Sequence, residues 1–234
     1  TVIVLGVAAA VATAAVDITN NGSKRCIVSD GLPDHRTGTV PIRNNPHRIS
    51  TQKVSVWGTA TPKRGNKATE VRVPGIAING IKIRPGTADY YDASTPRGHS
   101  RNSRSGWNLD GMGARTTLGL DIQNAHVGPE GDYHYHGMPP ALVKTSNASL
   151  MGYAADGFEI HYVGSNARSS YMLLPGARAT APGGAHDGTY NEDWTFVSGA
   201  GNLDQCNGGM SGGRYVYFAT DTYPFFPRCL YGTD

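Results

Sequence analysis

Charge is scarce in this sequence. Asp, Glu, Lys and Arg make up 17 % of its 234 residues, which excludes coiled coils and long salt-bridged helices. Cysteine is rarer still: Cys26, Cys206 and Cys229 are the whole set, and their spacing fits no zinc motif. The longest apolar run covers residues 1–16, short of the roughly 20 residues that a membrane-spanning helix needs, so membrane contact is not expected. No window sustains a helical period, and there is no phosphate loop or dinucleotide fingerprint. Asn207–Gly213 approximates a Gly-x-Ser-x-Gly elbow only loosely and lacks the strand-to-helix context that such a nucleophile requires. The basic residues come without an aromatic–basic RNA motif, so nucleic acid is not an expected partner.

What remains is a chain of turns and short strands. Gly 31 and Pro 14 supply about a fifth of it, and Tyr, Thr and Val are common where Leu, Glu and Lys are few. Gln52–Trp57, Phe158–Tyr162 and Arg214–Phe218 alternate as half-buried strands do. Ile76–Ile78 and Ile81–Ile83 flank Asn79-Gly80, the pair that suits a type I′ hairpin turn. Residues 86–118 are rich in Gly, Ser and Arg and read as a long surface excursion, of the kind that is usually functional. The expected fold is all-β: one antiparallel, β-sandwich-like domain over residues 26–234, with long Gly/Pro-rich loops and little helix. Residues 17–25 read as a polar linker, and residues 1–16 as an apolar N-terminal arm.

The arm, TVIVLGVAAAVATAAV, carries no charge, and Ala12-Thr13-Ala14 fits the small-x-small site that follows the apolar core of a secretory signal. Kept in the chain, it has to be covered. Val2, Ile3, Val4, Leu5, Val7 and Val11 make an extended strand apolar on both faces, which suits a groove left open in a neighbouring copy and filled by donor-strand insertion. Insertion into its own domain and a membrane- or detergent-held helix are the alternatives. Repeated head to tail, an intermolecular contact of this kind builds a filament. Charge asymmetry favours the same polarity: residues 1–115 hold 16 Lys/Arg and 7 Asp/Glu, residues 116–234 hold 5 and 11. Arg97, Arg101 and Arg104 cluster around His99, and the other basic residues are scattered.

A weak internal repeat relates Leu120–His126 and Asp132–His136 to Leu203–Gly209 and Arg214–Phe218, with a Leu-to-Tyr spacing of 13 in one copy and 12 in the other. Across the copies His126, His134 and His136 become Gly209, Val216 and Phe218.

Tyr133-His134-Tyr135-His136 is the sharpest feature. On a strand both histidines face one side, about 6.5–7 Å apart at the Cα, and both tyrosines face the other. The turn Val127–Gly131 brings His126 back alongside. Three neutral imidazoles on a β scaffold suit a transition metal such as copper or zinc, with a fourth position open. Asp121, Asp156 and His161 are candidates for a fourth or outer-shell ligand. The alternative is a structural polar cluster in which the imidazoles hydrogen-bond backbone and Tyr hydroxyls. His35, His47, His99 and His186 fall in loops and are expected to be exposed.

The stretch Gly131–Pro139, Gly-Asp-Tyr-His-Tyr-His-Gly-Met-Pro, resembles the signature of the YHYH-domain family. Further stretches resemble it in the same order: Gly31–His35, Gly86–Tyr91, Leu118–Asp121 with Asn124–His126, Gly152–Phe158, Asp187–Asp193, Asn202–Gly208 and Tyr223–Cys229. The likeness covers about residues 28–233 and departs from the family at Asp156–His161, where Asp-Gly-Phe-Glu-Ile-His stands for the more usual Asp-Gly-Phe-Pro-Ile-Tyr. It implies a secreted protein and brings no activity with it. Cys206 and Cys229 lie close together in the C-terminal segment and are expected to pair, leaving Cys26 over. Asn21 and Asn147 head sequons for glycan attachment. Two functions are expected: an extracellular structural subunit that joins copies of itself through its N-terminal strand, and a metal-binding module or metalloenzyme centred on His126, His134 and His136.

Overall fold

A computed structural model describes residues 15–145 and 149–233. The fold is mostly β, with 35 % strand and 7 % helix. In chain order the strands are β1 (Val16–Asn21), β2 (Lys24–Ser29), β3 (Val54–Thr59), β4 (Lys63–Glu70), β5 (Gly75–Ala77), β6 (Lys82–Ile83), β7 (Tyr90–Tyr91), β8 (His99–Ser100), β9 (Ala125–Val127), β10 (Tyr133–Tyr135), β11 (Leu150–Ala154), β12 (Glu159–His161), β13 (Tyr171–Leu173), β14 (Trp194–Phe196), β15 (Gly208–Ser211), β16 (Arg214–Phe218) and β17 (Cys229–Thr233). The α-helix among the described residues, α1 (Pro140–Thr145), begins at a proline, whose missing N–H is no loss at a helix start, and buries Leu142.

β1, β2 and β3 form a small antiparallel sheet. The linker expected over residues 17–25 is therefore a hairpin, with Asn21 paired to Lys24 across Gly22-Ser23. Its polarity reflects exposure rather than lack of structure: along β1 only Ile18 is partly covered. Eight strands make the main sheet, in the order β15-β16-β12-β11-β5-β6-β10-β9. The all-β expectation holds, but the junctions β6–β10 and β12–β16 are parallel, so this sheet is mixed rather than antiparallel. Both parallel partners are reached by long connections instead of tight turns, which leaves the direction of pairing free.

The order reads alike from either end. Each edge is a hairpin (β9–β10 or β15–β16), followed by a parallel junction and a second hairpin (β5–β6 or β11–β12), and β5 meets β11 antiparallel in the centre. The inner hairpins close identically: the amides of Gly80 and Gly157 donate to the carbonyls of Ala77 and Ala154, and both glycines are left-handed, at φ 80 and 91. Asn79 is not left-handed, so the turn is a three-residue loop ending in a glycine and not the type I′ turn that Asn-Gly suggests.

One side of the main sheet carries Ile81, Ile83, Val127, Tyr133, Tyr135, Ile160 and Tyr217 into the principal core. On the other side Ile27 and Val54 of the small sheet pack against Ile76 and Tyr153, a sandwich-like contact. Cys206 and Cys229 form a disulfide that ties the approach to β15 to β17, while Cys26 is buried and free. The arm residues Val2, Ile3, Val4, Leu5, Val7 and Val11 lie outside the described residues, as does Asn147; Asn21 is exposed. No described helix is long and apolar enough to cross a membrane.

Candidate metal centre

Strand alternation puts Tyr133 and Tyr135 into the core and turns His134 to the opposite side of the sheet. His126 of β9 is the direct cross-strand partner of His134, and His136 follows two residues on. The three rings close on one another, with centroids 4.7 Å apart for His126–His134, 4.7 Å for His126–His136 and 4.9 Å for His134–His136. Gly111 packs so closely on the His136 ring that no side chain fits there.

The backbone decides which nitrogen of each ring is free. His126 Nδ1 lies 2.9 Å from the Leu118 carbonyl, His134 Nδ1 3.0 Å from that of Asp132 and His136 Nδ1 3.2 Å from that of Pro85. A carbonyl only accepts, so each Nδ1 carries the proton and each Nε2 keeps its lone pair. Nε2 of His134 and Nε2 of His136 are buried without a hydrogen-bond partner. One ligand nitrogen from each histidine lies within 4.8 Å of the other two. Nitrogens about 2.0–2.1 Å from a tetrahedral ion stand about 3.4 Å apart, so small ring rotations complete the set. Burial pushes all three imidazoles below the usual histidine pKa, most strongly His134 and His136, and the nearby Arg84 charge acts in the same direction. The neutral form, which binds metals, is thereby favoured.

The structure does not bring the other sequence candidates to this group. Asp121 is engaged on the tyrosine side, its Oδ2 accepting from Tyr133 at 2.7 Å and from the Gly38 amide at 2.9 Å. Asp156 accepts from the hydroxyl of Tyr217 at 2.7 Å. His161 sits on β12, four strand positions from β10, held by Glu159 and Ser149 at 2.8 Å each.

Other residues do reach the centre. Asp132 lies 3.6 Å from His134 Nδ1 and takes a 3.1 Å ion pair from Arg84. His99, expected to be exposed, is buried, and its Nδ1 lacks a hydrogen bond, with Asp89 3.4 Å away. His99 lies on a two-residue strand, too short for alternation to reveal which way it turns. Together with His126 and His136 it lines a cleft of about 620 Å³.

A family model described as YHYH protein matches residues 55–232. The chain belongs to the YHYH family. No curated protein and no solved structure matches it. In this YHYH protein the four residues of the motif divide by parity, the tyrosines into the core and the histidines into the centre.

Proposed function

We propose that this YHYH protein binds a transition metal, zinc or copper, through Nε2 of His126, His134 and His136. The observation that carries the reading is the convergence of three imidazoles whose other nitrogen is already committed to a backbone carbonyl. Left empty, a buried acceptor without a partner costs about 1–3 kcal/mol, and a metal ion relieves that at Nε2 of both His134 and His136. Three histidines, two of them lining a cleft, match the three-ligand donor set of catalytic zinc rather than the four-ligand set of structural zinc. Metal analysis of the purified chain tests this: one equivalent of zinc or copper is expected, and none after replacing all three histidines by Ala. A wild-type protein that takes up neither metal under saturating conditions overturns it.

The disulfide and the exposed Asn21 sequon support an extracellular location, where disulfides persist. A second reading, assembly into a filament by donor-strand insertion, is favoured by the outer side of the small sheet that follows the arm. There Val28 is 46 % exposed and Trp57 63 % exposed, an apolar surface on the sheet whose first strand follows the apolar segment in sequence. Deleting residues 1–14 is expected to abolish fibres and leave the fold intact; unchanged fibres under electron microscopy would refute the idea.

A further inference from the structure

The cleft lined by His126 and His136 is ringed by positive charge. Arg72, Lys82, Arg84, Arg97 and Arg101 line it, against Asp89, Glu130 and Asp132. Arg84 is matched by Asp132, but Arg72, Arg97 and Arg101 make no salt bridge among the described residues. Two of these three come from the basic cluster around His99, in the excursion of residues 86–118. In the same wall His99 holds a buried Nδ1 that makes no hydrogen bond, with the Asp89 carboxylate 3.4 Å away. Burial, and to a lesser degree the charges of Arg72 and Arg101, oppose the protonated form of Arg84, which Asp132 favours. Like charges gathered around one concavity are unfavourable unless something of opposite sign enters, and a cleft focuses their field on whatever does.

We infer that this cleft binds a small oxyanion, a phosphate or carboxylate group on a soluble molecule, with one oxygen turned toward the open position of the metal and the others toward Arg72 and Arg101. The contact to the metal rests on the reading given under Proposed function; the contacts to the arginines do not. Guanidinium forks match the paired oxygens of both groups. A volume of about 620 Å³ lies within the roughly 300–1,000 Å³ of small-molecule sites.

Titration calorimetry of the full chain with inorganic phosphate and, separately, with malonate tests the inference on zinc-loaded and metal-free protein. One site is expected, tighter with zinc bound, and the tighter of the two anions names the source chemistry. Arg72→Ala/Arg101→Ala, both on exposed side chains, is expected to weaken binding about tenfold or more while the zinc stoichiometry stays unchanged. The inference fails if that double variant binds as tightly as wild type, or if zinc-loaded wild type gives no heat with either anion. A protein that takes up neither zinc nor copper and still shows arginine-dependent anion binding sustains the arginine contacts and overturns the metal reading.

Discussion

In the half-sheet β5–β6–β10–β9 and its counterpart β11–β12–β16–β15, the same side chains do the same work. Asp121 Oδ1 accepts from the amides of Gln123 and Ala125, and Asp204 Oδ1 from those of Cys206 and Gly208. Tyr133 and Tyr215 donate to the second oxygen of each aspartate. Asn124 and Asn207 both sit in the left-handed region, at φ 56 and 59, and their carbonyls accept from the amides of His136 and Phe218. The one-residue difference in repeat spacing lies in the turn, which is Gly212-Gly213 in the second copy and one residue longer in the first. What differs is the filling. Opposite the imidazoles of the first copy stand Gly209, Val216 and Phe218, and the last two pack with Ala167 and Leu203 in an apolar cluster. A scaffold that closes around Val and Phe does not require imidazoles to fold, and burying unpartnered nitrogens is the costlier choice. The histidines are therefore the part of the first copy that folding alone does not call for.

The largest expected effect breaks the two copies apart. His134→Ala is expected to lower zinc affinity by about a thousandfold, ~4 kcal/mol, above the 10–100-fold typical of losing an outer-shell partner. Val216→Ala, at the equivalent position, is expected to leave affinity unchanged. Competition against a chelating dye measures both, and equal losses would end the comparison.

The copies are also latched differently at equivalent positions. Cys206 is covalently bound to Cys229, whereas Gln123 donates to the Arg36 carbonyl and accepts from the Ala141 amide. Opening a disulfide that spans 23 residues is expected to cost about 3 kcal/mol, read as the drop in urea-unfolding stability of Cys206→Ala. Gln123→Ala is expected to cost about 1–2 kcal/mol.

The shared scaffold predicts a match in the next pair. Tyr133→Phe and Tyr215→Phe each remove a hydrogen bond to a carboxylate and are expected to cost about 1.5–2 kcal/mol apiece. A large inequality in their melting shifts would show that the copies are not energetically equivalent.

The smallest effect concerns Asn79 and Asp156, which meet Tyr135 and Tyr217 at corresponding places. Burial raises the pKa of Asp156 above its free value of 3.8, although Tyr217 and the Gly232 amide pull it down. The folded state then holds a proton that the unfolded chain releases earlier, so this contribution to stability is full below pH 3.8 and is lost as pH rises through the raised folded value. Asp156→Asn is expected to flatten that decline, changing stability by less than about 1 kcal/mol. Urea midpoints across the acidic range that fall in parallel for both proteins would refute it.

Much of this is legible in the chain, and each miss has its own physical cause. Alternation marked β3, β12 and β16, and the repeat located the two edge hairpins. Asp121 lies near His126 in sequence, yet it is used on the opposite side of the sheet, under Tyr133. His161 occupies a polar strand position several strands away from the centre. The hairpin of β1 and β2 was hidden because polar composition signals exposure, and an exposed edge can still be paired.

By itself the sequence determined that His134 and His136 share a side and that Tyr133 and Tyr135 take the other, because a strand alternates whatever surrounds it. It also determined, through the Gly-rich turn at Gly128–Gly131, that His126 returns beside His134. Only the tertiary structure decided which nitrogens face inward. The carbonyls that hold the rings belong to Leu118, Asp132 and Pro85, the last of them 51 residues from the histidine it orients. It likewise decided that Arg72, Arg97, Arg101 and His99, distant in sequence from the motif, line the cleft before it. Such contacts depend on where long connections return to the sheet, and no local spacing specifies that.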